Sequence, residues 1–375
     1  MGSKSTNIQI ANWIAVGILF ASTSQAIAVP MYQALGLGSL TPGGQNYGYA
    51  INSSGQIVGV AETSTGGSEA FLYSNGSMVG LGTLPGYTSS YAYDINDSGQ
   101  IVGASSADGN SITMGQAFIY NNGAMSGLGT LPGGLYSTAH SINNVGVVVG
   151  QSLGYSAGTS FLSGQPFVAN SGVMTSIPDW SGGGFATKIS NDGQVLIYNW
   201  GGAIYANGLI NPAPCVNSLC YMADINTRGE IVGFFQSENG GPIAAFIYKD
   251  HEMVPLGLSG HGNSINDNGE VVGFNWNSEG LTNAFLYTGD HLYDLNSLVD
   301  SSLGWIIWDA KDINNSALIV AYGQNTLTGY IGGILLTPIS VVPEPGTSLL
   351  LLIGLILMVV SVRTNTLPHS RHANY

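Results

Sequence analysis

The side chains that could carry chemistry in this chain are a few acids set in short polar turns. Asp97, Asp192 and Asp267 each lie two or three residues after an isoleucine. Two carboxylates about 5 to 10 Å apart could act as acid and base in glycoside hydrolysis. An aspartate in a turn more commonly closes that turn by accepting a hydrogen bond from it. The sequence therefore favours a structural role for these acids and predicts no catalytic residue.

Motifs for metal binding or phosphate binding do not occur in the sequence. Residues 267–270 resemble a calcium loop only faintly and lack the spacing of an EF-hand. A Gly-x-x-x-x-Gly-Lys phosphate loop is not found. The histidines are scattered without ligand spacing: His140, His251, His261 and His291. The sequence thus predicts no metal site and no cofactor.

The acidic turns belong to a short sequence motif, which we call the phrase, that recurs along the whole chain. It is an isoleucine followed by Asn or Ser, at steps of 36 to 48 residues: Ile51-Asn52, Ile95-Asn96, Ile142-Asn143, Ile189-Ser190, Ile225-Asn226, Ile265-Asn266 and Ile313-Asn314. A period of about 40 to 50 residues that carries four strands is typical of a propeller blade.

Each repeat has the pattern of short strands joined by tight turns. In the second repeat, residues 96–99 (Asn-Asp-Ser-Gly) predict a turn, and residues 116–120 (Gln-Ala-Phe-Ile-Tyr) predict a strand. We assign the fourth strand of the first repeat to residues 81–86, Leu-Gly-Thr-Leu-Pro-Gly, which recur almost unchanged at 128–133. The pattern predicts one small antiparallel sheet in every repeat.

The two ends of the array are complementary. The last repeat stops after its third strand at residues 334–337, whereas residues 37–43 resemble a fourth strand placed before the first repeat. If the segment 35–40 completes the last sheet, no edge stays unpaired, and β proteins must suppress such edges. We therefore predict an all-β fold, a seven-bladed β-propeller built from tandem four-stranded repeats over residues 29–338. A β-solenoid or a pair of sandwiches is the alternative.

The repeat region is strongly acidic. Residues 29–345 contain 21 acidic residues and four basic ones, which gives a net charge of −17. Nucleic-acid binding depends on neutralising phosphates with basic side chains. A nucleic-acid partner is therefore excluded.

Residues 1–28 have the three parts of a secretory signal peptide. Lys4 precedes an apolar run over residues 8–21, and Ala26 and Ala28 provide the small residues of a cleavage site. We predict cleavage after Ala28 and export of the mature chain.

The chain has two cysteines, Cys215 and Cys220, which lie close together after the fourth phrase. No third cysteine and no histidine is near them, so a metal site is disfavoured. In an oxidising compartment we expect a local disulfide between them.

The C-terminal segment, residues 339–375, differs from the repeats. Residues 346–362 are 17 uncharged residues, close to the shortest run that spans a membrane as a helix at about 1.5 Å per residue. Arg363 and Arg371 follow this run, which orients the short tail to the cytoplasm. A buried core helix is the alternative, but the run has no amphipathic face. The sequence predicts one transmembrane helix.

Two resemblances together cover essentially the whole mature chain. Val342, Pro343, Glu344 and Pro345, followed by the apolar run and Arg363, resemble the PEP-CTERM sorting signal of Gram-negative bacteria. The repeats, with Ala-Phe-Leu-Tyr at 70–73 and Leu-Gly-Thr-Leu-Pro-Gly at 81–86, resemble the HAF family of extracellular repeats. The family's dense basic cluster after the helix is reduced here to Arg363, His369, Arg371 and His372.

The resemblance implies a partner and a destination. The partner is an exosortase-type membrane peptidase in bacteria that make extracellular polysaccharide. The chain would be anchored transiently in the inner membrane and then reach the cell surface or the extracellular matrix.

Two function classes follow for the exported repeats. The first is a non-enzymatic binding or structural module of the exopolysaccharide matrix; the second is a carbohydrate-active enzyme, a glycoside hydrolase or lyase on a propeller scaffold. Fold alone does not choose between them. Six aromatic residues outside the strand motifs could stack on sugars or pack between the sheets: Tyr87, Tyr136, Trp180, Trp200, Trp276 and Trp305. We expect the binding module.

Overall fold

The computed structural model describes residues 31–339 except for 108–113, 157–159, 179, 181, 200–201, 215–217 and 238–239. Those residues of the range form one compact unit. Within them no helix is long and apolar enough to cross a membrane. Several predicted features lie outside the described residues: the signal peptide with Ala26 and Ala28, Cys215, Trp200, the motif Val342 to Pro345 and the apolar run 346–362.

The regular secondary structure of the described chain is almost entirely β-strand, in five antiparallel sheets of four strands and one of seven. The first sheet contains β2 (Asn46–Ile51), β3 (Ile57–Glu62), β4 (Ser68–Ser74) and β5 (Ser77–Gly80). The second contains β6 (Ser89–Ile95), β7 (Ile101–Ser106), β8 (Gly115–Asn121) and β9 (Ala124–Gly129). The third contains β10 (Tyr136–Ile142), β11 (Val148–Tyr155), β12 (Leu162–Asn170) and β13 (Val173–Ser176). The fourth contains β14 (Phe185–Ile189), β15 (Val195–Tyr198), β16 (Ala203–Ala206) and β17 (Leu209–Pro212).

The next two repeats are joined in one seven-stranded sheet through a long shared strand. This sheet contains β18 (Ser218–Ile225), β19 (Ile231–Ser237), β20 (Ala244–Lys249), β21 (Glu252–Ile265), β22 (Val271–Trp276), β23 (Thr282–Thr288) and β24 (His291–Asp294). The N-terminal half of β21 pairs with β20 and its C-terminal half pairs with β22. Two short 3-10 helices, Leu295–Leu298 and Ser301–Leu303, lead into the last sheet.

The last sheet joins the two ends of the described chain. It contains β25 (Trp305–Ile313), β26 (Ile319–Asn325), β27 (Tyr330–Ile339) and, at its edge, β1 (Met31–Gly36). β1 runs antiparallel to β27, with Met31 opposite Ile339 and Gly36 opposite Ile334. The predicted closure by an N-terminal strand is therefore confirmed.

The predicted position of that closing strand was wrong by several residues. The segment 35–40 contributes only Leu35 and Gly36 to β1. From Gly38, which has a φ of 81°, the chain leaves the sheet, and Gly44 N–H donates to the carbonyl of Thr41 in a turn. A left-handed residue suits glycine and interrupts an extended strand.

The same correction applies to the recurring Leu-Gly-Thr-Leu-Pro-Gly motif. Its copies at 81–86 and 128–133 follow β5 and β9 and, apart from Leu128 and Gly129, are not strand. Their second leucines, Leu84 and Leu131, are buried between neighbouring sheets. The motif is thus a turn that inserts an apolar side chain into the core.

Apolar side chains between successive sheets form the core. The third strands contribute five phenylalanines that are almost completely buried: Phe71, Phe118, Phe167, Phe246 and Phe285. Each core cluster takes residues from neighbouring sheets, as Val58 and Phe118 in one cluster illustrate. Each sheet therefore depends on its neighbours to bury its faces.

Candidate functional site

The strand that leads into each Ile-Asn or Ile-Ser phrase lies innermost. These strands contact one another in a closed cycle, which ends where β25 contacts β2: β2, β6, β10, β14, β18, the C-terminal half of β21, and β25. They surround a central channel. The repeated phrases lie at one mouth of this channel, where residues of every repeat line a shallow depression of about 160 Å³.

The asparagine of the phrase has two roles. Its side-chain oxygen closes its own turn, as Asn52 Oδ1 does by accepting the N–H groups of Ser54 and Gln56 at 3.2 and 2.9 Å. Its side-chain amide donates to the carbonyl of the equivalent residue in the next repeat. These bonds measure 2.9 to 3.3 Å and join Asn52 to Asn96, Asn96 to Asn143, Asn143 to Ser190, Asn226 to Asn266, Asn266 to Asn314, and Asn314 to Asn52.

One junction of the described ring lacks this bond because a serine replaces the asparagine. Ser190 Oγ bonds within its own turn, to Asp192 and to the N–H of Gln194 at 2.9 Å. A serine hydroxyl is too short to reach the next sheet while it closes the turn. The junction from Ser190 to Asn226 is therefore the weak point of the asparagine ring.

Two of the three turn aspartates bond to a neighbouring repeat and do not close their own turns. Asp97 Oδ1 accepts the N–H of Ser53 at 2.9 Å, and Asp267 Oδ1 accepts the N–H of Thr227 at 2.9 Å. The predicted role was wrong for these two acids, because the preceding asparagine already closes the turn. Asp192, one position later in its repeat, bonds only within its turn.

Deeper in the channel, the residue before each phrase isoleucine forms a layer of charge that sequence reasoning missed. In chain order this layer is Ala50, Asp94, Ser141, Lys188, Asp224, Ser264 and Asp312. Each carboxylate accepts a backbone N–H from the next repeat: Asp94 from Ile142 at 3.0 Å, Asp224 from Ile265 at 3.0 Å, and Asp312 from Ile51 at 2.8 Å. Reading this column in the sequence would have found the layer.

Lys188 is the cation of this layer. Its Nζ lies 3.5 Å from Asp94 and 3.9 Å from Asp224, and its side chain is 25% exposed. Burial acts to lower the pKa of Lys188, but the carboxylates of Asp94, Asp224 and Asp312 raise it above its usual value. Lys188 therefore stays charged, and its ion pairs with Asp94 and Asp224 link three of the inner strands.

Ser264 lies between two of the carboxylates. Its Oγ is 2.8 Å from Asp224 Oδ2 and 2.6 Å from Asp312 Oδ1. A hydroxyl has one proton to donate, so one of the two carboxyl groups must supply a proton for both bonds to form. Burial raises the pKa of Asp312 to about 6, against the opposing effect of Lys188, and burial also raises the pKa of Asp224.

The opposite mouth of the channel is lined by aromatic rings. Each inner strand has a β-bulge two residues before its isoleucine, and bulges re-aim side chains. The bulge residues are Tyr49, Tyr93, His140, Thr187, Ala223, Asn263 and Lys311. With Phe185 and Tyr221 they line a second depression of about 280 Å³, which we call the cup.

The rings of the cup continue into a belt around this face. Neighbouring centroids lie 3.7 to 6.2 Å apart along the series Tyr49, Tyr93, His140, Phe185, Tyr198, Tyr221, Phe234, His261 and Phe274. In five repeats the residue four positions before the isoleucine also carries an aromatic ring. These residues are Tyr47, Tyr91, Phe185, Tyr221 and His261. This column was the signal that sequence reasoning did not use.

The aromatic residues that the sequence analysis named as possible sugar contacts lie in different parts of the fold. Tyr87, Trp180 and Trp305 pack against core clusters. Trp276 lies beside the belt, with its ring 5.3 Å from His261. Tyr136 begins β10 and is partly buried. The aromatic cup is therefore built from other residues.

The histidines and acids of the described chain do not gather into a metal site. His140 Nδ1 lies 2.8 Å from the carbonyl of Ala186, and burial lowers the pKa of His140. Burial also lowers the pKa of His261 to about 4. In residues 267–270, which faintly resemble a calcium loop, the carboxylate of Glu270 accepts hydrogen bonds from the side chains of Asn266 and Thr288.

Cys220 is buried and disulfide-bonded. Its expected partner, Cys215, lies outside the described residues. The pairing of these two cysteines stays a prediction.

Solved structures resemble this chain in fold. The β-propeller domain of the Trilobed protease from Pyrococcus furiosus, described as having an open velcro topology, matches with a TM-score of 0.50 and 13% identity over 78% of this chain and 93% of that one. YCF48 bound to D1 peptide matches with a TM-score of 0.49 and 10% identity over 85% of this chain and 99% of that one. No protein-family model and no curated protein matches the sequence. The chain therefore has a β-propeller-like fold.

Proposed function

We propose that this protein is an exported, non-enzymatic binding module of the extracellular polysaccharide matrix, and that it binds its ligand at the aromatic face of the channel. The observation that carries this proposal is the belt of aromatic rings around the cup. Aromatic faces combined with a few polar groups in a concave site are typical of ligand pockets. The acidic body, at −17, repels polyanions and favours neutral ligands.

The proposed architecture is a ring of seven blades, one for each phrase. The cyclic contacts of the inner strands and the antiparallel pairing of β1 with β27 support it. In this arrangement the seven-stranded sheet is two blades that share β21. Each blade buries its faces only against its neighbours, so closure protects the whole ring.

The absence of catalysis in this proposal rests on how the channel carboxylates are used. Asp94, Asp224 and Asp312 each accept backbone N–H groups of their own repeat and of the next one. These bonds occupy the oxygens that an acid or base would offer to a substrate.

A glycoside hydrolase is the second candidate. Ser264 Oγ lies 2.8 Å from one oxygen of Asp224 and 2.6 Å from one oxygen of Asp312, so this site holds two neighbouring carboxyl groups, as glycosidases require. The raised pKa of Asp312, at about 6, would suit a general acid.

A screen separates the two candidates. The full chain, purified in mild detergent, is incubated with dextran, mannan and alginate, and both retention and new reducing ends or unsaturated products are measured. Retention on a neutral polymer without products supports the binding module. Products that disappear in the Asp312→Asn variant would establish the hydrolase or lyase instead.

We also propose that an exosortase-type peptidase sorts the chain to the cell surface or matrix. In this route the helix 346–362 holds the protein in the inner membrane transiently, with the repeats outside. The sorting motif of this route is Val342 to Pro345, and its two prolines disfavour a helix at the site that the peptidase must reach.

Mass spectrometry of the extracellular protein tests the sorting route. The mature N-terminus should be Val29, and the C-terminus should lie near Pro345. Intact Tyr375 in every extracellular fraction would show that the helix is a plain anchor.

A further inference from the structure

The cup is closed at its base. Four side chains line both the cup and the first depression, at the mouth of the channel where the repeated phrases lie: Lys188, Asp224, Ser264 and Asp312. They therefore form a partition across the channel. Hydrogen bonds and ion pairs hold this partition together. A ligand that enters at the aromatic mouth must stop there, and a polymer cannot thread through.

The wall of the cup has two unlike sides. Tyr49, Tyr93, His140, Phe185 and Tyr221 come from five successive inner strands and make one side aromatic. The remaining two inner strands contribute Asn263 and Lys311, which are polar. A sugar ring has the matching asymmetry, since its C–H face packs on aromatic rings while its hydroxyl groups need hydrogen bonds.

Several hydrogen-bonding groups of the cup have spare capacity. The Tyr93 hydroxyl is buried and has no partner among the described residues. Lys188 Nζ has three protons to donate, and its contacts to Asp94 and Asp224 are long, at 3.5 and 3.9 Å. Buried polar groups are normally hydrogen-bonded. An unpaired tyrosine hydroxyl and an underused ammonium thus indicate that ligand hydroxyl groups complete the set.

We infer that the cup binds the terminal ring of a neutral saccharide, inserted end-on, so that the protein recognises chain ends and not chain interiors. The inference rests on the proposed polysaccharide-binding function. The volume of about 280 Å³ lies just below the range of drug-sized ligand pockets, which span about 300 to 1,000 Å³. It suits a single ring, and the partition sets the depth.

The test uses the full chain in mild detergent and two cup variants. Tyr93→Phe removes only the unpartnered hydroxyl, so it breaks no internal hydrogen bond. Ala223→Phe fills the cup from a bulge position. Tyr155→Phe, at an exposed tyrosine on β11, is the matched control. Binding to dextran and mannan is measured, together with competition by their partial hydrolysates at equal mass.

We expect Ala223→Phe to weaken binding at least tenfold, Tyr93→Phe to weaken it severalfold, and Tyr155→Phe to change nothing. Shorter hydrolysates should compete better in proportion to their number of chain ends. If both cup variants bind the polymer normally, or if competition rises with fragment length, the end-on site is overturned while the binding function stands. If neither polymer is retained by the parent protein, the binding function fails and the cup proposal fails with it.

Discussion

The side-chain amide of Asn314 donates to the backbone carbonyl of Asn52 at 2.9 Å, although 262 residues separate them in sequence. This bond closes the ring of phrase asparagines at the point where the last sheet meets the first. The same junction has a second tie, because Asp312 accepts the N–H of Ile51 at 2.8 Å. Closure therefore depends on side chains at the channel as well as on the pairing of β1 with β27.

Asn314→Ala should destabilise the fold by about 1 to 3 kcal/mol, because it removes the bond to Asn52 and the acceptor that closes the turn. Asn277→Ala is the matched control, since Asn277 closes a similar turn and makes no hydrogen bond to another repeat within the described part of the chain. Urea denaturation measures both variants. Equal losses in the two would show that the bond between sheets contributes nothing.

Ser190→Asn should stabilise the fold by about 0.5 to 1.5 kcal/mol, because asparagine at this position can donate to the carbonyl of Asn226 and complete the ring. Ser190→Ala is the control and should destabilise, since it removes the acceptor for the N–H of Gln194. The midpoint of urea denaturation reports both changes. A Ser190→Asn protein no more stable than the parent would contradict the idea that this junction is weak for lack of one bond.

The fold was largely predictable because the repeated phrase marks the same strand and turn in every repeat. The Asn-x-x-Gly turn and the Ala-Phe strand recur since every sheet must bury the same faces, and β8 (Gly115–Asn121) matches the strand predicted at 116–120. The fourth strand was misplaced because Leu-Gly-Thr-Leu-Pro-Gly looks apolar enough for a strand. Its glycines take positive φ, 76° at Gly82 and 75° at Gly129, and turn the chain.

Most of the site could not be predicted from motifs within one repeat, because its residues are spread over all the repeats. No single segment holds Asp94, Lys188 and Asp312 together; only the cyclic arrangement brings them to one layer. The bulge before each isoleucine also shifts the alternation of faces by one residue, so a strict period of two misassigns Tyr93 and His140. Aligning the repeats on the isoleucine would have revealed both columns.

Lys188→Met should be strongly destabilising, by about 3 to 5 kcal/mol, because it leaves the carboxylates of the channel layer without their cation. Lys249→Met is the control. Lys249 pairs with the exposed Asp290, and surface ion pairs contribute little. Thermal and urea denaturation compare the two. If Lys188→Met unfolds at the same urea concentration as Lys249→Met, the cation does not hold the sheets together.

Stability should depend on pH through the carboxyl groups that share Ser264. The pKa of Asp312 is raised from 3.8 to about 6, so the folded state holds this proton more tightly than the unfolded chain does. The resulting stabilisation is complete below pH 3.8 and is lost as the pH rises through 6. Other acids act in the opposite direction. Burial acts to raise the pKa of Asp97 and Asp267, but their hydrogen bonds together outweigh it and lower the pKa of both.

Asp312→Asn isolates the contribution of the shared proton. The variant keeps an acceptor for the N–H of Ile51 and cannot ionise. Its stability relative to the parent protein should therefore increase between pH 4 and pH 7, by on the order of 1 to 3 kcal/mol. Urea denaturation of both proteins at several pH values gives this difference directly. A difference that stays constant across the range would mean that Asp312 is ionised throughout and that Ser264 does not share a proton between the two carboxyl groups.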